Sequence, residues 1–523
     1  VTADPMVCLQ AYQAIATKCR EFGLEVSSNK SHIFHNDFRF SDVIDTMAYR
    51  PAISDHGLVL LGVPIGSVDY VRSGIVDMMR QRGDVLDALA KTDDARVVFP
   101  LISSCVNARP VYWMKTCLPS LTSTGATTFD SKVDECLAKL CRVTLGQFSQ
   151  SSQLIRHLPS SKGGLGIRRM VDLRSPAFIA SFMRADQWLQ DNMVNLHVTL
   201  SAPCEFLTQV ESVKRQIQSL FLQRPALQQA AVQANDAEDE WTLRKLMNDV
   251  DRNVESKLMD GLSTEMKVWH SSSASVGTTS WLWCGSRHRK GALMMEASEY
   301  ATSLGLRLML PMVPFNDGFR RQCDCGWEHD ELSFDAAHHS LYCKKFSGRK
   351  LRHDQVRDAL SDLLVRLGYQ PHVEMDVLNG KKMDVVVNMG AVNHYVDVSI
   401  VHAGAQSYID HVSDDANYAM NRTIAKKRSK YGPLHDEARG SLFIPFIMET
   451  TGRMSKVAAD FIDSVTGLGG SAVLPDLAKR SARKFFLQRL SVIMARNNAR
   501  LVKTYESHTH LIPSRHLGDE YLE

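Results

Sequence analysis

The sequence has no apolar run approaching the roughly 20 residues that a membrane-crossing helix needs, and no signal-peptide pattern opens it. It also lacks a dominant charge: 61 Lys and Arg against 58 Asp and Glu leave a net charge of +3. Any affinity for nucleic acid must therefore come from local patches. Acidic residues are missing from two such patches. One holds Lys344, Lys345, Arg349, Lys350, Arg352 and His353; the other runs from Ala478 to Tyr505 in an amphipathic helical pattern. There is no paired cysteine framework either. The eleven cysteines are scattered, and several (Cys105, Cys136, Cys141) lie in apolar helical settings that suit buried free thiols in a reducing, intracellular compartment. An initiator Met is absent, and Val1 to Pro5 lead at once into a helical pattern, so the expectation is a fragment. What remains is an ordinary globular composition, 44% hydrophobic and 23% charged, long enough for two to four domains.

The most informative stretch is Lys381 to Tyr431. Val385 to Val387, and Val396 with Val398 and Ile400, have the composition of neighbouring strands in a buried sheet, and Asn388, Gly390 and Asn393 supply a turn between them. A hairpin would bring Asp384 and Asp397, with twelve residues between them, together. Two adjacent carboxylates repel unless a cation lies between them, and a hard ion such as Mg²⁺ suits their oxygens. The lysines that follow, Lys426, Lys427 and Lys430, are placed to polarise a water or neutralise charge on a phosphate. That set reads as a metal-dependent phosphodiesterase centre; two acids beside a lysine-rich helix also occur on ordinary surfaces.

Upstream, Val7 to Phe22 is helical in pattern, with Gly23 as its cap. Leu24–Val26 and His32–Phe34 read as strand, turn and strand around Lys30; Leu58 to Gly66 reads as a tight hairpin. Helical segments follow around 71–89, 96–107, 131–145 and 172–189, with Gly163-Gly164-Leu165-Gly166-Ile167 before the last. Residues 203–260 read as amphipathic helices, and Ser271 to Gly277 as a flexible linker at a domain boundary. Next, Cys323-Asp324-Cys325-Gly326 and His338-His339-Ser340-Leu341-Tyr342-Cys343 supply three thiolates and an imidazole, the ligand set of a closed structural zinc site. Spacing prefers Cys323, Cys325, His338 and Cys343, with His339 as the alternative. The basic run after it reads as a phosphate-tracking surface.

Taken in order, these landmarks resemble the reverse transcriptase of non-LTR (LINE-type) retrotransposons, beginning after its catalytic Tyr-x-Asp-Asp turn. The segment to Ser31 looks like polymerase motif D, Leu61-Gly62-Val63-Pro64-Ile65-Gly66 like the primer-grip hairpin, and Gly163 to Ile167 like part of the thumb. No Tyr-x-Asp-Asp occurs in this chain, so this part cannot synthesise DNA unaided but is suited to hold a primer–template duplex. Residues 323–505 resemble the restriction-like endonuclease of the same elements, related to PD-(D/E)xK nucleases. The landmarks are the Cys-Cys-His-Cys knuckle, Gly348-Arg349 with Arg352-His353, Lys382-Met383-Asp384, Asp397, and Lys426 or Lys430 with Tyr431. Met383 stands where the family has Pro, and Ser399 where its lysine usually falls.

The resemblance implies a multidomain chain: a mainly α polymerase region (palm end 1–70, thumb-like 71–190), a helical linker (191–280), a linker helix with the zinc knuckle (281–353), and an α/β restriction-like endonuclease domain (354–523). It implies that Asp384 and Asp397 bind catalytic Mg²⁺, that Lys426 or Lys430 acts as the motif's lysine, and that Glu374 completes the site. Lys344, Lys345, Arg349, Arg352, His353, Lys427 and Tyr431 are the expected nucleic-acid contacts. Target DNA, the element's RNA and the rest of the retrotransposon protein are the expected partners, zinc and magnesium the cofactors, and the nucleus the location. The rival readings are an inactive nucleic-acid-binding remnant and a structural product without activity.

Overall fold

The computed structural model describes residues 5–27, 30–34, 44, 47, 50–54, 56–221, 241–287, 290–312, 319–329, 334–378, 380–412, 415–436, 439–467 and 475–513. Two compact units result: residues 1–85, 108–131 and 170–247, and residues 86–107, 132–169 and 248–523.

In the first unit, α1 (Pro5–Glu21) ends at Gly23, whose φ of 73° places it in the left-handed region favoured after a helix. Leu24 to Val26 do not form the expected strand. Instead β1 (His32–Phe34) pairs in parallel with β2 (Ala52–Ser54), a partner too distant in sequence for local pattern to reveal. The expected hairpin does form, from β3 (Gly57–Leu60) and β4 (Val63–Gly66). Leu61 and Gly62 both take positive φ, as a two-residue hairpin turn requires. The Trp113 indole N–H donates to the Gly62 carbonyl at 3.0 Å, and the Tyr112 hydroxyl to that of Leu61 at 3.0 Å. Helices follow at α2 (Val68–Leu89, in this unit to residue 85), α3 (Val111–Thr116), α4 (Pro119–Leu140, in this unit to residue 131), α5 (Met170–Asn192) and α6 (Glu205–Phe221). Phe178, Ile179, Val210 and Ile217 form a buried cluster where α5 meets α6.

The second unit contains the glycine-rich segment 163–166. A Cβ on Gly164 would meet the Leu158 carbonyl oxygen at 1.9 Å, so only glycine fits there. The buried Arg307 guanidinium donates to the Gly164 and Ser160 carbonyls, both at 3.0 Å. Ser271 to Ser273, read as a flexible linker, belong instead to α7 (Thr264–Ser273). Ser272 and Ser273 are buried, and Ser272 bonds Glu449 and Thr451. Its serines satisfy buried polar groups, a role that composition does not distinguish from solvation.

A three-stranded sheet of order β11-β5-β6 (Thr509–Pro513, Phe319–Cys323, Glu328–His329) adjoins α8 (Phe334–Tyr342). After α9 (Gly348–Arg366) comes the main sheet: β7 (His372–Leu378), β8 (Lys381–Met389), β9 (Val392–Val401), α10 (Gln406–Val412), α11 (Tyr418–Tyr431) and β10 (Ser441–Glu449). Its order is β10-β9-β8-β7, with β10 parallel to β9 and the other pairs antiparallel. Alternation sorts the two faces. Val385, Val387, Val396 and Val398 pack with Val356, Leu360 and Leu363 of α9, with α12 (Lys456–Thr466), and with α13 (Asp476–Lys503). Val386 and Tyr395 face the other way, toward Tyr431 of α11 and Phe443. This is a mainly helical protein with small sheets and an α/β core.

Candidate functional site

The β8–β9 ladder ends at the pair Val385–Val396. Asp384 and Asp397 flank that pair, each one residue beyond the end of the ladder. Past this point the strands part, and the backbone of Val398 finds other partners. Its N–H donates to Asp384 Oδ2 at 2.7 Å, and its carbonyl lies 3.0 Å from His353 Nε2. The same imidazole nitrogen is 3.3 Å from Asp384 Oδ2, and its Nδ1 is 3.2 Å from Asp354. Asp384 is thus held by the β9 backbone and by His353 of α9, and its charge acts on Asp397.

Asp397 is 4% exposed. Burial pushes its carboxyl above the usual range, Lys427 opposes that push, and the charge of Asp384 adds to it. Lys427 Nζ lies 2.6 Å from Asp397 Oδ2. Ile424 and Tyr431 are buried, and at spacings of three and four from Lys427 they turn that lysine toward the sheet. Lys430 donates to the Tyr431 hydroxyl at 2.8 Å. That bond, together with the charges of Asp397 and Asp384, raises its pKa. Lys426 is exposed on α11. The lysine at the acidic pair is thus Lys427, with Lys430 near; Lys426 turns away because it falls outside the 424–427–431 face. The hydrogen bond to Asp384 is the main cause raising the His353 imidazole to about 9.

Glu374 does not join the pair. Its side chain is 53% exposed and bound by Arg357 of α9, and its φ of 54° breaks the regular course of β7. Asp384 and Asp397 nevertheless bring carboxylate oxygens, which are hard donors, to the strand opening.

A second cluster lies at residues 323–343. The ligand atoms of Cys323, Cys325, His339 and Cys343 all fall within 4.8 Å of one another, and among the described residues this is the one such group of three or more. Cys323 Sγ is 3.7 Å from Cys343 Sγ, close to the edge of about 3.8 Å that tetrahedral zinc–thiolate bonds require. Cys325 Sγ is 3.3 Å from His339 Nε2. Gly326, at φ 88°, closes the turn between Cys323 and Trp327, whose ring stacks on His339 at 4.3 Å. The histidine differs from the one that spacing preferred. His339 lies one helical turn before Cys343, with the Cys343 N–H on its carbonyl, so both face the loop. His338 points the other way, against Trp269 and His402. Helical phase decides here, not the length of the gap. These four residues can hold a metal such as zinc, with four protein ligands and no open position.

The expected nucleic-acid contacts divide. Lys344, Lys345 and Lys350 are exposed, and Arg349 is half-buried beside them. Arg352 is buried; it donates to Asn498 Oδ1 at 2.6 Å and the Leu341 carbonyl at 2.9 Å, so it cannot reach a phosphate. His353 and Lys427 belong to the acidic centre, and Tyr431 is 2% exposed. On α13, Arg483, Arg489 and Arg500 are paired with Asp463, Asp362 and Glu299. Sequence reading missed Asp354 and the Val398 carbonyl; the first adjoins a singled-out histidine, and the second carries no side-chain signal. No family model matches the chain, and no curated protein matches it.

Proposed function

We propose that residues 348–503 form a divalent-cation-dependent DNA nuclease of the restriction-like type, in the C-terminal part of a non-LTR retrotransposon protein. The observation that carries this reading is that Asp384 and Asp397 flank the end of the β8–β9 ladder, with the Lys427 ammonium 2.6 Å from Asp397. A hard cation such as Mg²⁺, held by the two aspartates, would supply Lewis-acid activation of water and of the scissile phosphate. Lys427 and Lys430 then offer positive charge where negative charge builds on the phosphate. Lys344, Lys345, Arg349 and Lys350 follow the DNA backbone, beside a structural zinc at Cys323, Cys325, His339 and Cys343. The first unit, by its hairpin and helices, grips a primer–template duplex. Target DNA, element RNA and the remaining retrotransposon protein are its partners, in the nucleus.

The test is nicking of supercoiled DNA in Mg²⁺ by the full chain and by Asp384→Asn and Asp397→Asn. Loss of nicking by at least about 10²-fold in each, with DNA binding retained, is expected. Equal nicking by all three refutes the assignment. A second reading, a binding-only remnant, draws on the occupation of acidic oxygens by His353 and Lys427; absence of nicking in the unaltered chain would favour it.

A further inference from the structure

We propose that His353 is a positioning residue of the acidic centre, fixing Asp384 so that its second oxygen, Oδ1, faces the cation. The inference rests on the nuclease reading and assigns to His353 a role other than phosphate contact. Its Nε2 lies 3.3 Å from Asp384 Oδ2 and 3.0 Å from the Val398 carbonyl, on the strand that carries Asp397. One ring thus spans the two strands at the point where their ladder has ended. Asp384 Oδ2 also accepts the Val398 N–H at 2.7 Å. With two donors on Oδ2, Oδ1 is the oxygen left to turn toward the cation. Asp354, 3.2 Å from Nδ1, holds the ring from behind, and Arg357 lies 3.5 Å from Asp354. The ring reaches the sheet from α9, whose apolar face is locked into the core by Val356, Leu360 and Leu363, so it is held by a rigid support. Partners that orient a ligating carboxylate typically account for 10–100-fold in metal affinity.

The experiment titrates Mn²⁺ into the zinc-loaded full chain without DNA, following water-proton relaxation, and separately measures DNA affinity against salt in Ca²⁺. The unaltered chain is expected to bind Mn²⁺ at a site lost in Asp384→Asn. His353→Ala should weaken that site 10–100-fold. His353→Gln, which keeps a donor of similar reach, should recover most of the affinity, and DNA affinity and its salt slope should not move in either variant. Unchanged Mn²⁺ affinity in His353→Ala overturns the proposal. So does a DNA salt slope reduced by about one with cation affinity intact, the mark of a phosphate contact. Should His353→Ala fail to fold, His353→Asn takes its place: the shorter amide is expected to bind at least about tenfold more weakly than Gln, and equal affinities overturn the proposal. If the unaltered chain takes no Mn²⁺, or Asp384→Asn binds it equally, the nuclease reading itself falls and takes this inference with it.

Discussion

Replacing Lys427 by Met removes the ammonium 2.6 Å from Asp397 while keeping the length of the aliphatic stem. Asp397 is 4% exposed and feels the charge of Asp384, so the variant leaves two neighbouring carboxylates with less compensating charge. Removing one member of a buried pair costs about 3–5 kcal/mol. Lys427 keeps a quarter of its side chain exposed, which favours the low end, about 3 kcal/mol at neutral pH. The pH dependence has a definite sign. Burial already raises Asp397, and losing Lys427 raises it further. A carboxyl raised on folding binds its proton more readily in the native state, so stability falls as pH rises above the unfolded carboxyl range. The deficit of Lys427→Met should therefore shrink on acidification and grow toward neutrality, and Mg²⁺ should narrow it at neutral pH. The assay is the thermal or urea transition of the unit containing Asp397, at pH 5 and 7.5, with exposed Lys426→Met expected within about 0.5 kcal/mol of the unaltered chain. An equal deficit at both pH values, or one shared by Lys426→Met, refutes the reasoning.

The zinc ligand set predicts that Co²⁺ substituted into the chain gives thiolate charge-transfer and tetrahedral d–d absorption, lost in Cys343→Ser and His339→Ala but retained in His338→Ala. Burial raises the Cys323 and Cys343 thiols, so Co²⁺ uptake should release protons and weaken as pH falls. Double replacement of Lys344 and Lys345 by Ala should lower the salt slope of DNA binding by about two while leaving stability within about 0.5 kcal/mol. Arg352→Met should do the reverse, leaving the salt slope unchanged and costing about 2–4 kcal/mol, because it strands the Asn498 and Leu341 oxygens.

What was legible in the sequence was what neighbouring residues decide. The Leu58–Gly66 hairpin follows from its own turn residues, and the Asp384–Asp397 hairpin from two β-branched runs around Asn388 and Gly390. What was hidden depends on phase and distant partners. Counting residues between Cys325 and Cys343 cannot separate His338 from His339; a helix beginning at Phe334 can, since it puts His339 and Cys343 on one side. By pattern alone Lys427 groups with the phosphate contacts, because a basic run shows charge but not facing, whereas Ile424 and Tyr431 set the facing. Arg352 and His353 looked like two more cations of the same run. Tertiary partners separate them from it: Asn498 of α13, more than a hundred residues later, holds the buried Arg352, and Asp384 with the Val398 carbonyl holds His353.

Adjacent residues on α9 explain why the cysteine–histidine cluster and the acidic centre belong to one body. Arg352 turns toward the metal-ligand helix, donating to the Leu341 carbonyl two residues before Cys343, and toward Asn498 of α13. His353 turns toward the strand opening and takes Asp384 and Val398. Asn498 in turn donates to the Thr450 carbonyl at the end of β10, while Tyr342 stacks on His402 at the end of β9, with ring centroids 4.8 Å apart. Each contact ties the residues beside Cys343 to a strand or helix that frames the aspartates. A metal held by Cys323, Cys325, His339 and Cys343 would therefore also brace the start of α9 and, one residue beyond Arg352, the imidazole beside Asp384. A knuckle appended by a linker would have no such route, because its ligands could move without carrying Arg352 with them.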